Sequence, residues 1–267
     1  MYLHELHILH EGVIKIAREA GKTPRAAFTR PREQDYKGEI DLVTQADRDT
    51  EERIHAILKR AYPHYGIIAE EGHNYTPDGA EPAYQWFVDP IDGTTNFAHR
   101  VPHFSISIAL TDKDLKPLLG VVYDPMRDEC FSAYEGGGAF LNGERLEVST
   151  VHTLKGALLA TGFPYDRHHS AENNLPEFNA FLKRAQGVRR MGSAALDLAY
   201  VAAGRLDGYW EQKLSQWDCY AGIMLVREAG GQCTDYHGSE DGLRAKSVQL
   251  IASNGLIQNA MQAVIHE

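Results

Sequence analysis

Acidic side chains gather directly after two short apolar runs of the sequence. Glu70 and Glu71 follow one run, and Asp89 and Asp92 follow the next, on either side of a Pro-Ile pair. Clustered carboxylates repel one another and are costly to desolvate, and a hard divalent cation offsets that cost. Magnesium prefers oxygen ligands and keeps several waters, so a few carboxylates and a substrate phosphate usually hold it. The residue types therefore indicate a magnesium site, and two neighbouring ions would suit phosphoryl transfer.

The backbone from Asp89 onward is suited to such a site. Its proline fixes its own φ and biases Asp89 toward extended geometry, so Asp89 and Asp92 can point at one spot. The Ile91 carbonyl is then left free as a further ligand. The residues from Gly93 are typical of a helix start, where free N–H groups favour phosphate and the Thr94 hydroxyl can orient a water nucleophile. Asp-Pro and Asp-Gly pairs are also common in turns, so on spacing alone a purely structural turn stays the alternative.

Two helices are predicted to support these acidic residues from the N-terminal side. Residues 3–20 place their apolar side chains on one helical stripe, which is typical of packing against a core. The pattern Thr44-x-x-Asp47 is a capping-box signature and predicts a second helix from about Gln45 to Tyr62. Capping alone can explain Asp47 without any catalytic role.

The rest of the chain alternates short strands with helices. Asn142-Gly143 suits the positive φ angles of a two-residue turn and predicts a β-hairpin. Strands are predicted at 65–69, 84–88, 104–110, 118–123 and 250–252, and helices at 193–203, 221–229 and the C-terminus. The sum is a mixed α/β protein with sheets and helices in layers. Without a repeat or linker, the 267 residues fit one domain, 1–267, with closely packed halves at 1–150 and 151–267.

The composition restricts the class of partner. With 37 acidic and 27 basic residues, the formal charge of −10 argues against direct nucleic-acid binding or an anionic membrane surface. A phosphate ester is compatible with that charge if cations are recruited locally. The three cysteines are few and widely spaced, so we expect no disulfide framework or zinc cluster and a reducing, cytoplasmic setting. Charges interrupt the apolar residues at the N-terminus, so neither a signal peptide nor a membrane span is expected.

Several separated motifs resemble one known family. The stretch Trp86–Phe97 resembles the first signature of the inositol monophosphatases, and Trp217-Asp218 with the later Glu228–Gly231 resembles the second. Three further segments match the family's N-terminal motif, acidic strand end and substrate-side segment: 41–47, 69–71 and 190–197. The resemblance runs in unbroken order from about residue 10 to residue 260. Within the family, the chain is most similar to the bacterial inositol-1-monophosphatases.

The resemblance implies a fold and a set of metal ligands. The fold would be the αβαβα five-layer sandwich of the sugar phosphatases, commonly a homodimer. Glu70, Asp89 and the Ile91 carbonyl would hold a first magnesium ion, and Asp89, Asp92 and Asp218 a second. A third, weaker ion would lie near Glu70, mostly through water. The cofactor expected from the family is therefore Mg²⁺, two to three ions per chain.

The resemblance also implies how water and substrate are handled. Thr94 and Asp47, with Glu70, would position and activate the attacking water, which displaces the alcohol in line and without a phospho-enzyme. The amides of Gly93 and Thr94 would bind the phosphate. The remaining predicted substrate contacts are Gly192, Ser193, Ala194, Glu211 and Asp218. The activity implied is Mg²⁺-dependent hydrolysis of inositol 1-phosphate, inhibited by lithium.

Two positions depart from the family pattern and concern the substrate. The family usually carries a small residue at the position of Tyr220 and a glycine at that of Lys213. Lys213 adds positive charge near the expected pocket mouth, where it either favours a second anionic group on the substrate or only reaches solvent. The metal ligands themselves are all present.

Three hypotheses of function follow. The first is an inositol monophosphatase. The second is a sister phosphatase for fructose 1,6-bisphosphate, histidinol phosphate or 3′-phosphoadenosine 5′-phosphate, although Thr95-Asn96 matches the inositol type. The third is a non-catalytic regulatory protein on the same fold, against which the complete ligand set argues.

Overall fold

The elements of the chain are taken from a computed structural model that describes residues 1–29, 34–36, 42–77 and 81–267. The helices are α1 (Leu3–Ala20), α2 (Lys22–Ala27), α3 (Gln45–Ala61), α4 (Thr94–Ala98), α5 (Leu175–Leu182), α6 (Ala194–Ala202), α7 (Gln216–Glu228) and α8 (Gln258–Ile265). The strands are β1 (Gln34–Tyr36), β2 (Leu42–Thr44), β3 (Gly66–Ala69), β4 (Tyr84–Asp92), β5 (Ser105–Asp112), β6 (Pro117–Asp124), β7 (Glu129–Tyr134), β8 (Gly138–Leu141), β9 (Glu144–Arg145), β10 (Leu158–Thr161), β11 (Gly187–Arg189), β12 (Gly208–Leu214), β13 (Gln232–Thr234) and β14 (Val248–Ser253). Asp41, the first residue of the predicted N-terminal motif, lies outside the described residues.

Helices and sheets alternate in five layers. The described strands form a seven-stranded sheet of order β3-β4-β5-β6-β7-β8-β9, a five-stranded sheet of order β11-β10-β12-β14-β13, and the pair β1-β2. Helices α1 and α3 pack on one face of the larger sheet, α6 and α7 lie between the two sheets, and α5 and α8 cover the far face of the smaller one. The predicted αβαβα sandwich is confirmed.

The middle of strand β4, residues 86–88, is apolar because it is covered on both faces. Successive strand residues point to opposite sides of a sheet. Trp86 and Val88 accordingly lie in the core beneath α1 and α3, and Phe87 lies in the core around α6 and α7. All three side chains are buried. This strand is therefore a rigid support for the acidic residues at its end.

The predicted element boundaries are mostly confirmed. The helix over 3–20, the capping box at Thr44 and Asp47, and the hairpin turn with φ of 51° at Asn142 and 90° at Gly143 all appear as expected. Two boundaries were wrong. Strand β4 continues through the proline to Asp92, and α7 begins at 216 rather than 221 because a second capping box precedes it. Among the described residues, no helix combines the length and apolar character needed to span a lipid bilayer.

Candidate active site

A pocket of about 270 Å³ lies where the C-terminal end of β4 meets the N-termini of α4, α6 and α7. It is lined by every predicted site residue except Asp47: Glu70, Asp89, Ile91, Asp92, Gly93, Thr94, Gly192, Ser193, Ala194, Glu211 and Asp218. Helix N-termini carry partial positive charge and free N–H groups, and several of them around one cavity favour an anion. The topology therefore brings residues from both sheets to one anion-favouring cavity.

The end of β4 is irregular, and this irregularity positions Asp89 and Ile91. The pairing of β4 with β5 shifts register between Asp89 and Asp92. The Ile91 N–H donates to Asp89 Oδ1 at 2.9 Å, which holds the carboxylate against its own turn. Asp89 is only 2% exposed. The bulge aims Asp89 and the Ile91 backbone at the pocket without leaving the strand.

Asp92 is fixed by the start of α6. The Ser193 hydroxyl donates to Asp92 Oδ2 at 2.5 Å, and the Ala195 N–H donates to the same oxygen at 2.7 Å. The Ala194 N–H donates to Asp92 Oδ1 at 3.2 Å. Burial raises the pKa of Asp92 to about 6, although these three hydrogen bonds lower it. Ser193 and Ala194 thus line the pocket while already supporting Asp92, and their predicted contact with substrate stays a prediction.

Asp218 is placed by a capping box at the start of α7. The Ser215 N–H donates to Asp218 Oδ2 at 2.7 Å, the same arrangement that Thr44 makes with Asp47 at the start of α3. An N3 acidic residue is favoured there because it satisfies a free N–H and opposes the helix dipole. The capping hydrogen bond at the start of α7 therefore places the Asp218 side chain in the pocket.

Glu70 directly follows β3, in a turn whose backbone is held by hydrogen bonds to β4 and α3. The Glu70 N–H donates to the Val88 carbonyl at 3.1 Å and so continues the pairing of β3 with β4. Glu51, which is fully buried on α3, accepts from the N–H groups of Glu71 at 2.7 Å and His73 at 2.9 Å. Glu51 was not identified from the sequence. Its role is to fix the turn that presents Glu70.

The four carboxylates Glu70, Asp89, Asp92 and Asp218 line one pocket and form an oxygen-only donor set. Burial, and then the charges of neighbouring carboxylates, raise the pKa values of Asp89 and Asp218 well above their ordinary range. Both pKa values respond to Glu70 and Asp92, so the four groups act on one another electrostatically. A hard divalent cation prefers such ligands and supplies the missing charge. The residues present therefore fit the magnesium that the sequence predicts.

These raised pKa values predict a pH-dependent stability for the metal-free protein. Burial raises the pKa of Asp92 to about 6 and the pKa values of Asp47 and Glu211 to about 7. The folded state then binds more protons than the unfolded state. These groups therefore stabilise the fold most at low pH, and their contribution to the free energy of unfolding is lost as pH rises through their folded-state pKa values. With a chelator present, the unfolding temperature should fall between about pH 5 and about pH 8.

Two measurements check that pH dependence by thermal unfolding. Saturating Mg²⁺ should reduce the fall, because the ion binds the deprotonated carboxylates. The variant Asp92→Asn should flatten the metal-free curve, because one of the titrating groups is removed. A metal-free protein whose stability rises over this range would contradict the assignment of these groups as buried and mutually repelling.

Thr94 and Asp47 form a hydrogen-bonded pair behind the carboxylates. The Thr94 hydroxyl lies 3.1 Å from Asp47 Oδ1 and 3.0 Å from the Ile91 carbonyl. The other oxygen of Asp47 accepts from the N–H of Thr44 at 2.8 Å and from its hydroxyl at 2.5 Å. Asp47 is fully buried, whereas Thr94 lines the pocket. Asp47 therefore caps α3 with one oxygen and supports Thr94 with the other.

The far side of the pocket carries a second group of polar side chains. The Tyr209 hydroxyl donates to Glu211, which lies two residues along β12 on the same face. Burial raises the pKa of Glu211 to about 7. A Cβ at Gly162 would lie 2.1 Å from the Glu211 carboxylate, so only glycine leaves room for it. Glu211 is thus a half-buried carboxylate that can pair with a hydroxyl or a cation.

Asp197 is a pocket residue to which the sequence analysis gave no role. It lines the pocket from α6, is 1% exposed, and its Oδ1 has no hydrogen-bond partner among the described residues. Burial, followed by the charges of Glu211 and Asp92, raises its pKa well above the ordinary range. The signal was present in the sequence as a lone acidic residue in an otherwise apolar, small-residue helix.

The two departures from the family pattern have separate structural explanations. Tyr220 is 1% exposed and packs edge-on against Phe87 at 5.0 Å between ring centroids, in the core between the sheets. Lys213 lines the pocket, but its Nζ donates to Asp166 Oδ2 at 2.7 Å and to Ser170 Oγ at 2.9 Å. The positive charge of Lys213 is therefore already paired within the chain.

The chain has the layered α/β fold of solved phosphatases of the inositol monophosphatase type. The fold matches the solved inositol monophosphatase from Anabaena (Nostoc) sp. PCC 7120 with a TM-score of 0.88 and 37% identity, covering 98% of this chain and 96% of that one. The profile of the inositol monophosphatase family matches residues 5–267. The chain belongs to the inositol monophosphatase family.

Two curated relatives illustrate the range of names within that family. An inositol-1-monophosphatase from Rhizobium meliloti (strain 1021) is 42% identical over 264 residues, which is 97% of this chain and 95% of the relative. The Nus factor SuhB from Pseudomonas aeruginosa (strain PAO1) is 46% identical over 235 residues, 85% of each chain. The family is thus established, and the substrate is a separate question.

Proposed function

We propose that the protein is a Mg²⁺-dependent phosphomonoesterase that hydrolyses inositol 1-phosphate to inositol and phosphate. The observation that carries this proposal is the meeting of Glu70, Asp89, Asp92 and Asp218 in one pocket. Two of these carboxylates are buried and two are half-buried, and gathering them in one pocket is costly unless a cation joins them. The relative named inositol-1-monophosphatase supports the choice of substrate.

Glu70, Asp89, the Ile91 carbonyl, Asp92 and Asp218 are the groups that would hold two to three magnesium ions. When bound, magnesium supplies an acidified water and positive charge beside the phosphate. The chain itself must orient that water, accept its proton and hold the phosphate in place. Preorganised polar groups in a buried site contribute most of such a rate enhancement.

Thr94 and Asp47 are proposed to handle the proton of the attacking water. The Thr94 hydroxyl lies between the pocket and Asp47 Oδ1, at 3.1 Å from the latter, so a proton can pass from water through the hydroxyl toward the carboxylate. Burial raises the pKa of Asp47 to about 7, which is where a general base is most effective near neutral pH. The water oxygen then bonds to phosphorus as the bond from phosphorus to the inositol oxygen breaks, and the inositol oxygen leaves with the bonding electron pair and takes a proton from solvent water to form the alcohol.

The amides of Gly93 and Thr94 are proposed to bind the phosphate oxygens. Gly93 has a φ of +99°, and a Cβ there would lie 3.0 Å from the Gly192 carbonyl and 3.1 Å from that of His103. Only glycine fits that conformation and that close approach. The turn therefore brings Gly192, a predicted substrate contact, directly against the proposed phosphate-binding amides.

The alcohol is proposed to bind on the side of Glu211. Its carboxylate, held by Tyr209, and the partner-free oxygen of Asp197 both line that side. The hydroxyls of a polyol donate hydrogen bonds to carboxylates, and hydrogen bonds to an ionised acceptor are the stronger ones. Two carboxylates on one side of the pocket can accept from two hydroxyls at once, which selects for a polyol. We further propose a cytoplasmic location, consistent with the unpaired, buried state of Cys130, Cys219 and Cys233, and the homodimer that the family resemblance implies.

A regulatory role is the second candidate, because a relative with 46% identity is named Nus factor SuhB. The complete carboxylate set is the feature that distinguishes the candidates. A protein kept only for regulation gains nothing from four mutually repelling carboxylates gathered in one pocket, whereas a phosphatase depends on them. We therefore rank hydrolysis first.

A panel of small phosphate esters tests the proposal. Inositol 1-phosphate, fructose 1,6-bisphosphate, histidinol phosphate and 3′-phosphoadenosine 5′-phosphate are compared for phosphate release with Mg²⁺ and with a chelator. We expect the highest kcat/KM for inositol 1-phosphate, complete dependence on Mg²⁺, and inhibition by lithium. Faster release from another ester assigns a sister phosphatase, and no release from any ester supports the regulatory role.

Lys213→Gly is expected to leave the preference between mono- and bis-phosphorylated esters unchanged within about twofold. The lysine charge is paired with Asp166 and is not free to attract a second phosphate. Lys213 has a φ of 63°, so glycine should also fit the backbone with less strain. The measurement is the ratio of kcat/KM for inositol 1-phosphate and fructose 1,6-bisphosphate. A marked loss of the bisphosphate alone would instead make Lys213 a substrate contact.

A further inference from the structure

Helix α1 carries a row of histidines that the phosphatase site does not use. His4, His7 and His10 recur every three residues, and Glu11 follows the last of them. Residues three and four apart lie on the same face of a helix. His7, His10 and Glu11 therefore share one face of α1, which packs on the side of the seven-stranded sheet opposite to α6 and α7.

The side chains of these three residues converge. One ligand atom from each of His7, His10 and Glu11 lies within 4.8 Å of the other two. His10 Nδ1 and Glu11 Oε1 are 3.7 Å apart. In a tetrahedral zinc site, ligand atoms about 2.0 Å from the metal lie about 3.3 Å from one another, so small side-chain rotations close the set.

His10 supplies an independent observation that a ligand belongs here. Its ring is 4% exposed, and neither ring nitrogen has a hydrogen-bond partner among the described residues. The ring packs against Tyr134 at 4.9 Å and Phe140 at 6.2 Å between centroids. Buried polar groups in proteins nearly always have a partner. A buried imidazole facing a carboxylate and a second imidazole is therefore an incomplete constellation.

The protonation state of His10 also suits a metal. Burial lowers its pKa, which favours the neutral imidazole over the cation. A metal binds the neutral ring rather than the cation. His7 adds a second imidazole, and its Nδ1 lies 3.3 Å from the Tyr134 hydroxyl, which can orient the ring.

We propose that His7, His10 and Glu11 form a binding site for a zinc-like divalent transition-metal ion, separate from the carboxylate pocket. Two imidazoles and one carboxylate are ligands typical of Zn²⁺, Co²⁺, Ni²⁺ or Cu²⁺, whereas Mg²⁺ prefers oxygen alone. Three protein ligands leave one coordination position for water or a further ligand. The ion at this site therefore differs in class from the one in the pocket, and the two sites can be occupied together.

The test is metal binding by tag-free protein in saturating Mg²⁺, which occupies the carboxylate pocket. Zn²⁺ is titrated by calorimetry, and Co²⁺ is titrated by its visible absorption, which reports the coordination geometry. His7→Ala and Glu11→Gln change exposed side chains, so the fold should be kept. His4→Ala is the matched control, because His4 is an exposed histidine of the same helix outside the cluster.

We expect one zinc ion per wild-type chain and a zinc affinity at least ~10-fold lower for His7→Ala and Glu11→Gln. Removing a group that only hydrogen-bonds to a metal ligand already lowers metal affinity by about that factor. His4→Ala should bind like the wild type. Absence of zinc binding to the wild type overturns the proposal, and so does equal binding by all four proteins. The readout is independent of phosphatase activity, so the result stands whether or not the proposed function holds.

Discussion

Asp92→Asn should lower kcat/KM for Mg²⁺-dependent phosphate release by at least ~100-fold, comparable to the loss of one strong electrostatic stabiliser. Asp92 brings a full negative charge to the pocket, where the positive end of α6 and the Ser193 hydroxyl hold it. Asparagine can still accept from α6 through its carbonyl oxygen, but it carries no charge for the cation. The measurement is steady-state kinetics over a range of Mg²⁺ concentrations.

The same substitution should not destabilise the metal-free fold. At pH 8 the wild-type carboxylate is largely charged, and burial disfavours that charge. Its removal should leave the unfolding temperature in chelator equal or higher, while the temperature rise on adding Mg²⁺ becomes smaller. Asp207→Asn is a matched control, because Asp207 is a buried aspartate that accepts from Ser149 and Leu158 outside the pocket. If Asp92→Asn retains near wild-type activity, the assigned metal site is wrong.

The acidic turn illustrates what local sequence rules can reach. The candidate site residues from Asp89 to Thr94 could be recognised because they are close in sequence and share one turn. The strand nevertheless runs on through the bulge to Asp92, since pairing with β5 resumes at Ser105. No local rule gives that pairing, because it depends on a neighbouring strand that arrives later in the chain.

The capping boxes show a signal that was used once and missed once. Thr44-x-x-Asp47 predicted the start of α3, but Ser215-x-x-Asp218 has the same form and was overlooked, so α7 was placed five residues too late. Asp218 was assigned to the site from family resemblance alone. Its capping geometry could have indicated that this carboxylate also lies at a helix N-terminus.

Contacts across the two sheets could not be predicted from local patterns. The Ser193 hydroxyl donates to Asp92 because α6 packs between the two sheets. The two residues are far apart in sequence, and their spacing does not indicate this contact. Strand β12 was also missed, since the three polar residues 211–213 interrupt its apolar residues and the register shifts between Glu211 and Leu214. Sequence motifs therefore identify most of the candidate site residues, but long-range packing determines which of them contact one another.

Thr94→Ala and Asp47→Asn are each expected to lower kcat by ~100-fold or more, the scale of general acid–base catalysis. Both act on one proton path, because the Thr94 hydroxyl lies 3.1 Å from Asp47 Oδ1. The double variant should therefore be little slower than the slower single variant, since residues that act as a unit are strongly non-additive. Single-turnover rates at saturating substrate measure the effect on chemistry itself.

The control for that cycle is Thr95→Ala, the same substitution one residue further along α4, where the side chain is exposed and does not line the pocket. It should keep wild-type kcat. All variants should still gain stability on adding Mg²⁺, because Thr94 and Asp47 are not proposed ligands. Additive losses in the double variant would show that the two residues act separately, and Asp47 would then be a helix cap whose loss disturbs the site only through α3. Non-additive losses with Mg²⁺ binding intact would place both residues on the path of the water proton.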